Sequence, residues 1–123
     1  MKICVTAYSN DYDSQIDPRF GRCSFFVLID PDTMQIEITP NLASGASGGA
    51  GIQAAQILVN KNVDMLITGN VGPKAFGALS SSGIKVITGV MGSVRTAIEK
   101  YKKGELNITS SPTVRDHHGF NRS

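Results

Sequence analysis

The stretch Val63-Asp64-Met65-Leu66-Ile67-Thr68-Gly69-Asn70-Val71-Gly72-Pro73-Lys74 decides the fold, because it reads as a short buried strand passing through a glycine-bearing bend into a helix. Gly72 and Pro73 suit the N-cap and the first helical position, where proline's missing N–H costs nothing. Phe76 and Leu79 are spaced to meet a sheet, and Gly83 ends the helix. The unit then repeats. Ile84-Lys85-Val86-Ile87-Thr88 is a strand, Gly89 to Gly92 a second glycine-bearing loop, and Val94, Ala97, Ile98 and Tyr101 mark one helix face at i, i+3, i+4, i+7. Two consecutive strand-helix units require parallel strands and right-handed crossovers.

Toward the amino terminus, Asn60-Lys61-Asn62 closes an earlier helix, Ile52 to Val59, which the run Ala43-Ser44-Gly45-Ala46-Ser47-Gly48-Gly49-Ala50-Gly51 feeds. Ile3, Val5 and Ala7 alternate with Cys4, Thr6 and Tyr8 in a first strand. Phe25-Phe26-Val27-Leu28-Ile29 is a continuous apolar run of the kind found in strands covered on both faces. Asp30-Pro31-Asp32 turns it into Gln35-Ile36-Glu37-Ile38-Thr39, which alternates, stops at Pro40 and belongs at a sheet edge. The expectation is an α/β fold of the ribonuclease H-like type: a mixed five-stranded sheet, three strands parallel plus an antiparallel pair, flanked by three helices. Residues 1–108 form its single domain and 109–123 a disordered tail.

A chain of 123 residues, 41% hydrophobic and 18% charged, is one ordinary globular domain. Twelve basic and ten acidic residues leave a charge of +2, too small and too scattered to imply nucleic acid or an anionic membrane. No apolar run approaches a membrane span, and Met1-Lys2-Ile3-Cys4-Val5 enters a strand pattern with no signal-peptide architecture, so a cytoplasmic location is expected.

The loops leaving the first, fourth and fifth strands converge on one edge, where ligands of open α/β sheets bind, and the glycine tract leads its helix into the same neighbourhood. That tract is no P-loop, since Gly51 is followed by Ile52 and Gln53 rather than Lys and Ser or Thr. Gly49-Ala50-Gly51-Ile52-Gln53-Ala54 satisfies G-x-G-x-x-A, but the preceding loop is too long for a tight strand-to-helix turn. The tract serves either as a ligand-contacting anion cradle or as a flexible connector. In the long loop Ser9 to Arg22, alternating Asp11, Asp13, Gln15 and Asp17 fail as an EF-hand, with Ile16 in place of the glycine and Arg22 in place of the glutamate. Its end, Ile16-Asp17-Pro18-Arg19-Phe20-Gly21-Arg22-Cys23, offers a carboxylate and two forked donors that either hold a polyanion or bridge to each other. Cys4 and Cys23 are placed too far apart along paired strands for a disulfide, and two thiols cannot alone supply a closed zinc or iron-sulfur site.

With these residues in view, the chain resembles the dinitrogenase iron-molybdenum cofactor biosynthesis family, which includes NifX, NafY and a domain appended to NifB. The resemblance runs from Ile3 to about His118. It is carried by Asp17-Pro18-Arg19-Phe20-Gly21-Arg22, the Gly48-Gly49-Ala50-Gly51 tract, Gly69-Asn70-Val71-Gly72-Pro73-Lys74-Ala75, Gly83-Ile84-Lys85-Val86 and Gly104-Glu105-Leu106. It implies the ribonuclease H-like fold and a role in carrying or shielding an iron-sulfur cluster or a cofactor precursor without turnover. Family members are similar in carrying histidines in the tail; this chain has only His117-His118 there, with no nearby cysteine.

The first reading is therefore a non-enzymatic carrier of an iron-sulfur cluster or an iron-molybdenum-cofactor-type precursor. Asp17, Arg19, Phe20, Gly21, Arg22, Gly48, Gly49, Gly51, Asn70, Gly72, Pro73 and Lys74 form its cofactor-binding rim, and Cys23, His117 and His118 are candidate metal ligands. Its partners would be metallocluster donor and acceptor proteins, with no nucleic acid or membrane, and a homodimer is left open. The alternative is a regulatory module binding a nucleotide or phosphate. A metal-dependent phosphoryl-transfer enzyme or nuclease fits less well, because Asp64 begins its strand, Asp30 ends an antiparallel one, and the acidic cluster such chemistry needs is missing.

Overall fold

The computed structural model describes residues 1–113. The strands are β1 (Ile3–Ala7), β2 (Phe25–Ile29), β3 (Ile36–Pro40), β4 (Met65–Ile67) and β5 (Lys85–Ile87); the helices are α1 (Ala50–Asn60), α2 (Pro73–Ser81) and α3 (Val94–Lys102). The sheet runs β3-β2-β1-β4-β5, with β1, β4 and β5 parallel and β2 antiparallel to both of its neighbours. The expected mixed sheet with three helices is the one found.

Each strand supplies both faces, as period 2 requires. Cys4, Phe26, Leu28, Leu66 and Val86 pack with α1 and α2 through Ala54, Leu58 and Leu79. Val5, Val27, Ile29, Ile67 and Ile87 pack on the other side with Val94, Ala97 and Ile98 of α3. That explains the unbroken apolar run of β2, whose Val27 and Leu28 sit in different clusters. β3, at the edge, has no buried residue.

All three helices stop by the same device. A residue in the left-handed region, Asn62, Gly83 or Gly104, follows each C-cap. The next N–H then donates back five residues: Val63 to Leu58, Ile84 to Leu79 and Glu105 to Lys100. Such a turn satisfies carbonyls that the helix end leaves open, and glycine or asparagine tolerates its positive φ. Two boundaries differ from expectation. α1 starts at Ala50, two residues early, because the left-handed Gly49 serves as its N-cap. β4 is confined to Met65–Ile67, since only those residues are paired on both sides.

After α3 the chain returns along β5. Thr109 N–H donates to the Val86 carbonyl at 2.7 Å and Thr113 N–H to that of Val71 at 3.0 Å, so the first part of the segment expected as a tail is hydrogen-bonded to the domain. No helix among the described residues is long and apolar enough to cross a membrane.

Candidate functional site

Three loops meet at the carboxyl ends of the parallel strands, and the one after β1 is the most firmly held. Asp17 N–H donates to the Thr6 carbonyl at 3.1 Å. Thr6 Oγ1 bonds the Asp17 carbonyl at 2.6 Å and lies 2.7 Å from Thr68 Oγ1, all three groups being buried. Asn70 N–H donates to the Pro18 carbonyl at 2.7 Å, stitching this loop to the one after β4. The approach there requires glycine at 69, where a Cβ would lie 2.5 Å from the Pro18 Cβ.

This scaffold aims a guanidinium outward. Asp17 is wholly buried, and its carboxylate accepts from the Arg19 backbone N–H, from Nε at 3.0 Å and from Nη2 at 2.9 Å. Bidentate pairing with Asp17 raises the Arg19 pKa further. Two of the five side-chain N–H donors are used among the described residues, and the Arg19 side chain is 59% exposed. Arg22 instead reaches across to the carbonyls of Ser44 and Ala46 and ties down the glycine tract.

Helices α1 and α2 both begin at this rim. Their N-caps are Gly49 and Gly72, and neither has a side-chain cap. By contrast, the Ser93 hydroxyl of α3 accepts from Thr96 N–H. The first N–H groups of a helix have no intrahelical acceptor and carry its positive pole. At α1 and α2 no side chain of the described residues caps those donors, and Pro73 contributes none.

Between these ends lies a cavity of about 580 Å³, lined by the buried Phe20 and Ala75 and by Arg19, Gly21, Arg22, Gly49, Gly51, the exposed Ile52, Asn70, Gly72, Pro73 and Lys74. Among the described residues, no carboxylate, thiol or imidazole lines it. Lys74 and the Asn70 side chain make no hydrogen bond among the described residues. A larger cavity of about 670 Å³ lies at the opposite end of the sheet, beside Lys2, Asp30, Glu37 and Asp64. We place the site at the smaller one, where the helix donors and the carboxyl ends of parallel strands coincide.

Ten residues expected on the rim are thus brought together: Arg19, Phe20, Gly21, Arg22, Gly49, Gly51, Asn70, Gly72, Pro73 and Lys74. Five other residues expected there fall elsewhere. Asp17 stands behind Arg19 and positions it rather than lining the cavity. Gly48 has open space around it. Gly89 and Gly92 support the loops from behind, through Gly89 N–H to the Gly69 carbonyl and Ile16 N–H to the Gly92 carbonyl. Cys23 is in the core between sheet and α1, its Sγ 3.3 Å from the Phe20 carbonyl, and burial pushes its thiol up to about 12. Both cysteines are free and buried. His117 and His118 lie outside the described residues, among which no group of three or more His, Cys, Asp or Glu could hold a metal.

Sequence reasoning missed Asn41, which is buried and donates to the carbonyls of Gly21 at 3.1 Å and Cys23 at 2.9 Å. Its position directly after the strand-ending Pro40 was the available signal, since asparagine readily bonds nearby backbone.

Residues 1–104 match the sequence profile of the family described as dinitrogenase iron-molybdenum cofactor. The chain belongs to that family. The apo orange protein of Desulfovibrio gigas is 41% identical and superposes with a TM-score of 0.89, over 92% of this chain and 96% of that one. A Thermotoga protein described as a candidate NifB protein is 31% identical with a TM-score of 0.80, over 92% and 97%. An uncharacterised protein of Methanocaldococcus jannaschii, MJ0580, is 30% identical over 109 residues, 86% of this chain and 89% of that one. In this member of the dinitrogenase iron-molybdenum cofactor family, the described rim presents the cations Arg19, Arg22 and Lys74 and the starts of two helices.

Proposed function

We propose that this protein binds and carries an anionic metal-sulfur cluster or iron-molybdenum-cofactor-type precursor, without turnover. The observation that carries this reading is the pair of helix starts without a side-chain cap, at Gly49 and Gly72, beside a cavity edged by Arg19, Arg22 and Lys74 and lined by no carboxylate among the described residues. A cluster that brings its own sulfides presents weak acceptors over its whole surface. Backbone N–H groups and two or three cations would stabilise that charge, and the apolar floor of Phe20 and Ala75 would keep water away.

Membership of the family and likeness to the apo orange protein support the same reading. The strand order β3-β2-β1-β4-β5 supports classing the fold as ribonuclease H-like, yet among the described residues no carboxylate of the kind a two-metal nuclease requires lines the cavity. Fold likeness alone therefore carries no catalytic role. The same donors would suit a phosphate group, and that is the second reading.

The test is anaerobic reconstitution of the full chain with ferrous iron and sulfide, followed by gel filtration, iron and sulfide analysis and visible spectroscopy. Stoichiometric cluster in the parent and its loss in Lys74→Ala and Arg19→Ala is the expected result. A parent that retains no iron yet binds inorganic phosphate by calorimetry would replace the carrier with the second reading.

A further inference from the structure

The two edges of the sheet differ. Beyond β5 the returning chain covers the edge: Thr109 N–H donates to the Val86 carbonyl at 2.7 Å, and Thr88 N–H donates to Thr109 Oγ1 at 2.9 Å. Beyond β3 no backbone group of the described residues does the same. The ends of the β2-β3 hairpin show which groups are open there. Asp30 N–H donates to the Gln35 carbonyl and Asn41 N–H to the Ser24 carbonyl, so residues 35, 37, 39 and 41 turn their backbone to β2. Ile36, Ile38 and Pro40 therefore turn theirs outward, where the missing N–H of proline interrupts no ladder within the chain.

The side chains of the same residues form an apolar row. Ile38 pairs with Val27 and is half-buried against the α3 side of the core, and Ile36, paired with Ile29, is 41% exposed. Met34 and Leu42 continue the row in sequence and are 36% and 84% exposed. Glu37 and Thr39 alternate with it, and Glu37 is bridged to Lys61 at 2.9 Å.

We propose that β3 pairs with β3 of a second copy of this chain, antiparallel about a twofold axis at Ile38, so that one sheet runs through a homodimer. In that register Ile38 exchanges both backbone bonds with Ile38 of the second copy, and Ile36 N–H donates to the carbonyl of the second copy's Pro40. Ile36 meets Pro40, exposed Leu42 comes level with exposed Met34, and Glu37 lies opposite the uncharged Thr39. Neighbouring registers match less well. Centring on Glu37 sets two carboxylates directly opposite, and centring on Thr39 sets Ile38 against Pro40, which has no N–H to return. A five-residue strand spans only about 17 Å, so the dimer is a weak, concentration-dependent one. None of the cavity-lining residues belongs to β3, and the proposal stands apart from the carrier reading.

The experiment is sedimentation equilibrium of the full chain from about 10 μM to about 1 mM, with amide exchange followed by NMR at both ends of the range. We expect a reversible monomer–dimer equilibrium in which exchange at Ile36 and Ile38 slows as concentration rises. Thr39→Glu sets a carboxylate opposite Glu37 of the second copy and should weaken the dimer at least about fivefold; Thr39→Lys sets an ammonium there and should tighten it. Opposite effects of these two charges are the signature of this register. A chain that sediments as a monomer throughout overturns the proposal. So does a dimer in which the Ile38 amide exchanges as fast as in the monomer, or whose affinity moves in the same direction with both variants.

Discussion

Gly21 and Gly51 meet backbone to backbone: a Cβ on Gly21 would sit 2.7 Å from the Gly51 nitrogen and 2.8 Å from its Cα. The Asp17–Arg22 loop and the start of α1 are thereby held in one rigid rim. Gly21→Ala must push them apart, with an expected cost of about 1–3 kcal/mol in urea unfolding and a loss of cluster retention. Gly45→Ala, in open space at a position without positive φ, is the control and should stay within about 0.5 kcal/mol of the parent.

The second prediction concerns Arg19. Its fork satisfies the buried Asp17 carboxylate with two side-chain bonds while still presenting N–H groups outward. A lysine at this position keeps the charge but cannot do both. Arg19→Lys should therefore resemble Arg19→Ala in cluster retention, measured after gel filtration. Retention at the parent's level would mean that charge alone matters at this position.

Lys74 is the simplest probe of the anion site, because it makes no ion pair among the described residues and lines the cavity at the α2 start. Hydrogen bonds to charged groups contribute about 1.5–3 kcal/mol, so Lys74→Ala should weaken cargo binding by about tenfold or more. The parent's affinity should also fall as salt rises, and the variant's should fall less steeply. Titration calorimetry at two ionic strengths checks both.

Cys23 makes a prediction in pH. Burial raises its thiol from the ordinary 9.0 to about 12, so the folded state holds a proton that the unfolded chain releases. Stability from this group is fully present below about pH 9 and is lost as pH rises through about 12. Unfolding free energy should thus decline more steeply above pH 9 in the parent than in Cys23→Ala. That variant should retain cluster like the parent, since the thiol faces the core; a loss of cluster would return Cys23 to the ligand set.

The elements of this protein were legible because each is written in local physics. The alternation of β1, the all-apolar β2 covered on both faces and the 3.6-residue stripe of α3 each specify a period and a burial without reference to distant residues. The rim was legible for a related reason. Loops after parallel strands share an edge whatever their sequences, so the loops carrying Arg19 and Lys74 could be placed together from strand order.

What only the tertiary structure decided is where side chains at the ends of those loops point and which donors remain free. The motif containing Asp17, Arg19 and Cys23 offered a carboxylate, a guanidinium and a thiol within a few residues. Contacts with Thr6 and Asn41, at 11 and 18 residues' separation, send the carboxylate behind the guanidinium and the thiol into the core. Glycines tell the same story. Gly48 and Gly51 are alike in sequence, but a Cβ at Gly48 would meet nothing, whereas one at Gly51 would lie 3.0 Å from the Ala75 Cβ. Composition and period specify elements through interactions a few residues long. The chemistry of the site depends on which groups distant segments leave unpaired, and that is settled only when those segments pack.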